Sequence, residues 1–342
     1  MEAKESAMPK RRNEARDEPI LDPDLPIVDA HHHLLMRPHV TYLAQEFLQD
    51  TNAGHLIKGS VYVETRTFER TTGPEVVRPL GEVEFANGLG AMTVSGAFGP
   101  CQLAAGIVGY ADLTKGAAVA PLLERCMAAA PDRFRGVRQL VLEFDPNRNF
   151  PTVIGARPPV GILDHPEFIN GLREVAARGL TFDLSIFHDQ VPRVLALLDA
   201  LPDLTFVLNH AGIANGYQLG VQERAEVFDD WRGKLQQVAL RPNVLCKIGG
   251  LGMPHWGFGL DQTDGPNLSG RLAETWRPWV ETAITAFGPN RCMFESNFPA
   301  DGFSCGYVPL WNAFKRICAG ATDTTKSALF SETAIRTYRL NL

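Results

Sequence analysis

No stretch of this sequence approaches the ~18 consecutive apolar residues that would cross a bilayer as a helix, so no membrane span is expected. Charge of one sign is also lacking. Lys and Arg number 33 against 39 Asp and Glu, a formal charge of -6, which gives nucleic acid or an anionic membrane surface no general attraction. Cysteine is sparse and unpaired in sequence: Cys101, Cys126, Cys246, Cys292, Cys305 and Cys318 stand singly, with no CxxC. That spacing suits reduced thiols better than a disulfide framework. With no cationic-then-apolar leader at the start, it leads to the expectation of a cytoplasmic protein. There is no internal repeat, no low-complexity stretch, and no GxGxxG loop after the first apolar run, which argues against a dinucleotide-binding doubly wound sheet. What is present is 342 residues, 45% hydrophobic and 21% charged, an ordinary globular composition. A small-molecule partner fits it best, and a homo-oligomer is left open.

Residues 1–26 mix charges without apolar period and are broken by Pro19, Pro23 and Pro26, so they read as a flexible or surface-packed arm. From Ile27 to residue 342, short β-branched runs alternate with helical patterns, the habit of a parallel sheet wrapped by helices. Strands are predicted at Ile27 to His33, Leu56 to Glu64, Ala104 to Ala111, Phe134 to Leu142, Leu180 to Phe187, Leu204 to Asn209, Val244 to Ile248 and Arg291 to Ser296. Helices are predicted between them, among them Pro74 to Ser95 and Pro166 to Arg178, and two more at Val308 to Ala319 and Thr324 to Tyr338 after the last strand. Eight alternations over ~310 residues suit an α/β fold of the (β/α)8 TIM-barrel kind with an extra C-terminal helix. The long Gly- and Pro-rich spans Phe144 to Leu163 and Leu251 to Gly270 follow strands, so they are lid and specificity candidates on the catalytic face.

Chemistry concentrates at strand ends. In Ile27-Val28-Asp29-Ala30-His31-His32-His33 alternate side chains share a face, so His31 and His33 point one way and His32 the other. Two neutral imidazoles at a barrel mouth are half of a site for zinc or a similar ion. A second apolar strand delivers His210 just before a small-residue turn, and His188, ending the preceding strand, is either a fourth member or a helix-start residue. Arg138 and Lys247 are charged residues inside apolar strands; each needs an acidic partner or an anionic substrate. Glu64 ends the second strand, where it could orient a histidine. Trp256 and Phe258 in the seventh loop wall an apolar pocket or pack on the rim.

The segments Asp29-Ala30-His31-His32-His33, Leu208-Asn209-His210-Ala211-Gly212, Cys246-Lys247-Ile248-Gly249-Gly250-Leu251-Gly252-Met253 and Arg291-Cys292-Met293-Phe294-Glu295-Ser296-Asn297-Phe298-Pro299 resemble the amidohydrolase-2 branch of the amidohydrolase superfamily. Within it, the likeness is to hydrolases related to sugar lactonases and pyrone dicarboxylate lactonase. The resemblance runs from about Ile27 to Leu340. It implies that His31, His33 and His210 face a divalent metal, zinc by its donor set, or the substrate directly; members that act without a metal leave metal-independent action open. One position departs. Where the superfamily carries an aspartate before Phe-Pro, this chain has Asn297, whose amide cannot serve as a general base near neutral pH. Glu295, on the same face two residues earlier, and Asp301 in the following loop are the candidates for the missing carboxylate. The resemblance implies hydrolysis of a lactone, a carboxylate-bearing one among the candidates, or less readily of an amide. Non-oxidative decarboxylation of an aromatic or unsaturated acid is the rival reaction, and a non-catalytic ligand-binding relative is the third reading.

Overall fold

The computed structural model describes residues 18–38, 40–145, 157–263 and 268–342. Strand β1 (Ile27–His32) is followed by a small antiparallel pair, β2 (Leu35–Arg37) and β3 (Val40–Tyr42), and by helix α1 (Ala44–Thr51). Then come β4 (Ile57–Val63), α2 (Leu80–Thr93), β5 (Gln102–Tyr110), α3 (Ala120–Ala129), β6 (Phe134–Arg138), α4 (Phe168–Ala177), β7 (Thr181–Leu184) and α5 (Val191–Ala200). The chain continues through β8 (Phe206–Leu208), α6 (Val221–Ala239), β9 (Val244–Ile248), α7 (Ser269–Phe287) and β10 (Cys292–Phe294). It ends with α8 (Tyr307–Ile317), α9 (Asp323–Ser327) and α10 (Thr333–Tyr338). Setting aside the β2 and β3 pair, eight strands lie side by side in chain order in one parallel sheet. The sheet closes just beyond β10: Asn297 N donates to His31 O and His33 N to Phe298 O, each at 2.8 Å. The result is a (β/α)8 barrel.

The strands are buried on both faces, which is why they read as continuous apolar runs rather than alternating ones. Their starts match the sequence reading closely, but several ends do not. The strands expected to reach Leu142, Phe187 and Ser296 stop at Arg138, Leu184 and Phe294. At the mouth, side chains replace the ladder: Leu113 N donates to Gln139 Oε1 at 2.8 Å, and Ser296 N to Asp29 Oδ1 at 2.8 Å. The helix expected from Pro74 begins only at Leu80, after a single turn at Glu75–Val77 and Pro79, which has no N–H to offer. The helix expected over Thr324 to Tyr338 is split by a wide turn at Ala328–Glu332. The β2 and β3 pair was not foreseen, since three-residue strands are too short to show a period.

Two apolar layers result. The larger lies between sheet and helices. The smaller joins Val28, Ala30, Val61, Val63, Val108, Val207 and Met293 to Ala334, Tyr338 and Leu340, so the C-terminal segment packs into the barrel's own core. Before β1, residues 19–22 pack against α8: Asn312 accepts from Leu21 N and donates to Pro19 O, and Lys315 Nζ donates to Leu21 O and Asp22 O. Residues 1–17 of the expected arm lie outside the described residues, as do 146–156 and 264–267 of the two candidate lid loops. Among the described residues no helix is long and apolar enough to cross a membrane.

Candidate active site

The pairing of β1 with β4 slips between Asp29 and His32. Such an irregularity re-aims side chains. Here His31 and His33 enter the barrel mouth, whereas His32 faces the helical layer, stacked on Phe47 at 3.9 Å and within 3.0 Å of Ser60 Oγ. His33 Nδ1 lies 2.8 Å from Val63 O and must donate to it; its Nε2 is then an acceptor, 3.0 Å from His31 Nε2. The carbonyl of Val63, not the Glu64 carboxylate, therefore orients this histidine.

His210 follows β8 on a backbone with φ of 52°, and Ala211 has φ of 50°, a left-handed conformation that costs energy in residues with a Cβ. The glycines after β9 leave room for the side chains that meet there. A Cβ on Gly250 would stand 2.5 Å from His210 Nδ1, and one on Gly249 would stand 2.3 Å from Glu295 Cγ. Glu295, one residue past β10, sits between the histidines with its side chain fully buried: Oε1 is 2.6 Å from His210 Nδ1, and Oε2 is 3.0 Å from His31 Nδ1. Oε2 makes no hydrogen bond. His31, His210 and Glu295 bring ligand atoms within 4.8 Å of one another, so the glutamate enters the donor group. His33 meets His31 on its Nε2 edge, while Glu295 meets it at Nδ1.

Both buried cations carry their own carboxylates. Arg138 Nε donates to Glu64 Oε1 at 2.8 Å and its Nη2 to Glu64 O at 2.7 Å, leaving Nη1 3.4 Å from His31 Nε2. Lys247 Nζ lies 2.6 Å from Asp183 Oδ2 and 3.5 Å from His31 Nδ1. Asp183 also accepts from Asn209 and from Tyr338. Burial first, then Lys247, holds the His31 pKa well below that of a free imidazole. Burial and then Arg138 do the same for His33. Both rings are thus neutral at neutral pH, the state a metal ligand requires.

Other sequence candidates fall elsewhere. Asn297 donates its amide to Asp301 Oδ1 at 2.9 Å, and Asp301 Oδ2 accepts Gly252 N at 2.8 Å. Asp301 makes no hydrogen bond or ion pair with a histidine among the described residues, and burial pushes its pKa up to about 8. His188 accepts Asn215 N at Nδ1 and meets Asp230 of α6 at Nε2, 3.2 Å away, so it is a helix-start residue tied to its neighbours. Trp256 donates to Gly250 O and packs its ring with Trp231, Phe258 and Trp279; with Phe258 it lines a separate apolar cavity, not the one beside Arg138. His255 was missed. It packs between Phe144 and Phe187, and burial together with nearby His210 and Arg157 lowers its pKa to about 4. Its position in the Gly-rich seventh loop was the available signal.

Beside the cluster, Glu64 and Arg138 form one wall of a cavity of about 280 Å³, whose lining also includes Leu35, Arg37, Arg66, Tyr110 and Arg157. Arg37 too was absent from the sequence candidates.

Barrel sites form at the C-terminal ends of the strands, and there His31 and His210 share one buried carboxylate, that of Glu295. The chain belongs to the amidohydrolase family: the Amidohydro_2 model, described as amidohydrolase, matches residues 28–340. It is 35% identical over 303 residues to the uncharacterized protein y4mH of Sinorhizobium fredii, covering 88% of this chain and 86% of that protein. It is 28% identical over 239 residues to an L-fucono-1,5-lactonase of Burkholderia multivorans, covering 69% of this chain and 72% of the lactonase. An amidohydrolase of Burkholderia multivorans, solved with bound HEPES, superposes with a TM-score of 0.68 at 22% identity over 92% of this chain and 99% of its own. A second crystal form of it, at 22% identity and the same coverage of both chains, contains zinc and gives a TM-score of 0.67. These structural likenesses are likenesses of fold. Family and relatives together make the chain a hydrolase acting on small molecules.

Proposed function

We propose that this hydrolase opens lactones, adding water to the carbonyl carbon of a cyclic ester. The observation that carries the reading is Glu295, a buried carboxylate bridging His210 and His31 at 2.6 and 3.0 Å; sequence likeness to an L-fucono-1,5-lactonase supports the choice of ester. The family implies a divalent metal, and the residues fit one. Glu64 and Asp183 neutralise Arg138 and Lys247, so the charge of Glu295 is left without a cation, and its Oε2 is buried without a hydrogen bond. His31, His210 and Glu295 would hold the ion, with His33 fixing the ring of His31; mixed nitrogen and oxygen donors favour zinc. Bound there, it would polarise the carbonyl and lower the pKa of water toward ~7.

The remaining work falls to the chain's own groups. Asn297 cannot accept a proton, and both oxygens of Asp301 are engaged by Gly252 and Asn297. Glu295 Oε2 therefore takes the proton from the attacking water and returns it to the ring oxygen as the C–O bond breaks, giving a hydroxy acid. His210 keeps Glu295 in place through Nδ1–H. Arg138, clamped by Glu64, aims Nη1 at the oxyanion that forms beside His31, where a fixed donor stabilises charge.

The test is proton release from a panel of lactones by protein purified without chelator, alongside its metal content. Turnover that a chelator abolishes and zinc restores is the expected result. A protein that opens none of the lactones overturns the reading.

A further inference from the structure

The cavity beside the cluster has a lining charge that the hydrolytic centre does not require. Four arginines, Arg37, Arg66, Arg138 and Arg157, face it together with one glutamate, Glu64. Three of the four have visible internal engagements. Arg138 is clamped by Glu64. Arg66 is paired with Glu69 and lies over the Tyr110 ring at 4.3 Å, and Arg157 lies over the Phe144 ring at 5.0 Å. Arg37 is different. Its Nη2 donates to Thr65 O at 3.0 Å, its Nε–H is buried without any acceptor, and it has no acidic partner among the described residues. A buried, unsatisfied guanidinium N–H is costly, and a cavity is where a ligand could supply the acceptor.

Resting on the lactonase reading, we propose that Arg37 is a specificity-determining residue that binds a carboxylate carried by the substrate. The planar fork of arginine matches a carboxylate with two parallel hydrogen bonds. Position supports the same assignment. Arg37 ends β2, which begins two residues after His33, and Arg138 stands between the cavity and His31. A small ring could then lay its ester carbonyl at Arg138 and its carboxylate at Arg37. The two buried cations that the sequence offered as anion receptors, Arg138 and Lys247, are already neutralised by Glu64 and Asp183. Anion selection thus passes to an arginine on the small antiparallel pair, outside the eight barrel strands.

The test uses glutarate as a probe that needs no turnover, followed by calorimetric titration, and a matched pair of δ-lactones with and without a ring carboxylate. Arg37→Ala should weaken glutarate binding about ten- to hundredfold, the worth of hydrogen bonds to a charged group, and lower the preference for the carboxylated lactone by a similar factor, chiefly through KM. Arg37→Lys should recover part of both, because it restores charge without the fork. Arg70→Ala, an exposed arginine paired with Glu84, serves as the control and should change neither. Unchanged glutarate binding and unchanged preference in Arg37→Ala overturn the proposal, as does tighter binding of inorganic phosphate than of glutarate. Glutarate binding through Arg37 with no lactone opened would sink the lactonase reading alone. Lactones opened with no charge preference and no glutarate binding would sink the carboxylate proposal alone.

Discussion

Replacing Glu295 by glutamine separates chemistry from folding more sharply than any other single change at this site. Glutamine keeps the shape of a side chain that is fully buried, and its amide oxygen can still accept from His210 Nδ1, where the carboxylate contact is 2.6 Å. The amide nitrogen would stand where Oε2 is now, 3.0 Å from His31 Nδ1, and can donate to that neutral ring. Glutamine therefore loses no hydrogen bond and gives the position now held by the unbonded Oε2 a donor, and the net change in folding stability should be within about 1 kcal/mol, the difference between a charged and a neutral hydrogen bond. Turnover should fare differently. Loss of the proton acceptor costs about 10²- to 10⁴-fold, equivalent to roughly 3–5 kcal/mol of barrier, and loss of a negative donor should also lower metal retained through purification. The measurements are kcat by proton release, metal content by mass spectrometry and urea unfolding on the same preparations. A variant with near wild-type turnover would falsify the assignment of the proton to Glu295. One that loses activity only because it unfolds would make Glu295 a structural residue.

The barrel was legible in the sequence because both faces of its strands are buried, which leaves long apolar runs separated by helical periods. Strand ends were less so. Past Arg138, Leu184 and Phe294 the apolar pattern continues, but side chains such as Gln139 and Asp29 take over the backbone hydrogen bonds, and no local period records that exchange. Alternation placed His31 and His33 on one face correctly, even though the pairing slips just before them. What it could not supply was the partner of each buried charge. Arg138 finds Glu64 across 74 positions of sequence and Lys247 finds Asp183 across 64, contacts fixed by barrel closure rather than by spacing. Arg37 and His255 escaped notice for a related reason: one sits in a three-residue strand and the other in a single turn, too short to show a period, and each gains meaning only from the cavity wall or the histidine that folding brings beside it.

Three further outcomes follow from the same geometry. Lys247→Met should destabilise the fold by about 3–5 kcal/mol, because it leaves Asp183 buried and unpaired, and adding Asp183→Asn should recover much of the loss in urea unfolding. Stability should fall as pH drops below about 6.5: His32 is held neutral by burial, with its pKa lowered from 6.5 to about 3. The unfolded chain then binds the extra proton, so each pH unit in that window costs about 1.4 kcal/mol for such a histidine. His32→Phe should flatten the slope of unfolding free energy against pH, and an unaltered slope would remove His32 from the account. Asn297→Asp restores the residue that the resemblance leads one to expect, but here the amide donates to Asp301 Oδ1 at 2.9 Å. A carboxylate in its place faces another whose pKa burial has already raised to about 8, and two such groups cannot both ionise without a cation or a shared proton. An acid whose pKa is raised on folding loses stability as pH rises from its unfolded value toward its folded one. The variant should therefore melt lower than wild type at pH 8 without metal, lose less at pH 6, and regain stability with zinc, binding it more tightly than wild type does. Equal melting temperatures at both pH values, with unchanged zinc affinity, would show that position 297 lies beyond reach of the ion and that Glu295 alone has taken over the aspartate's role.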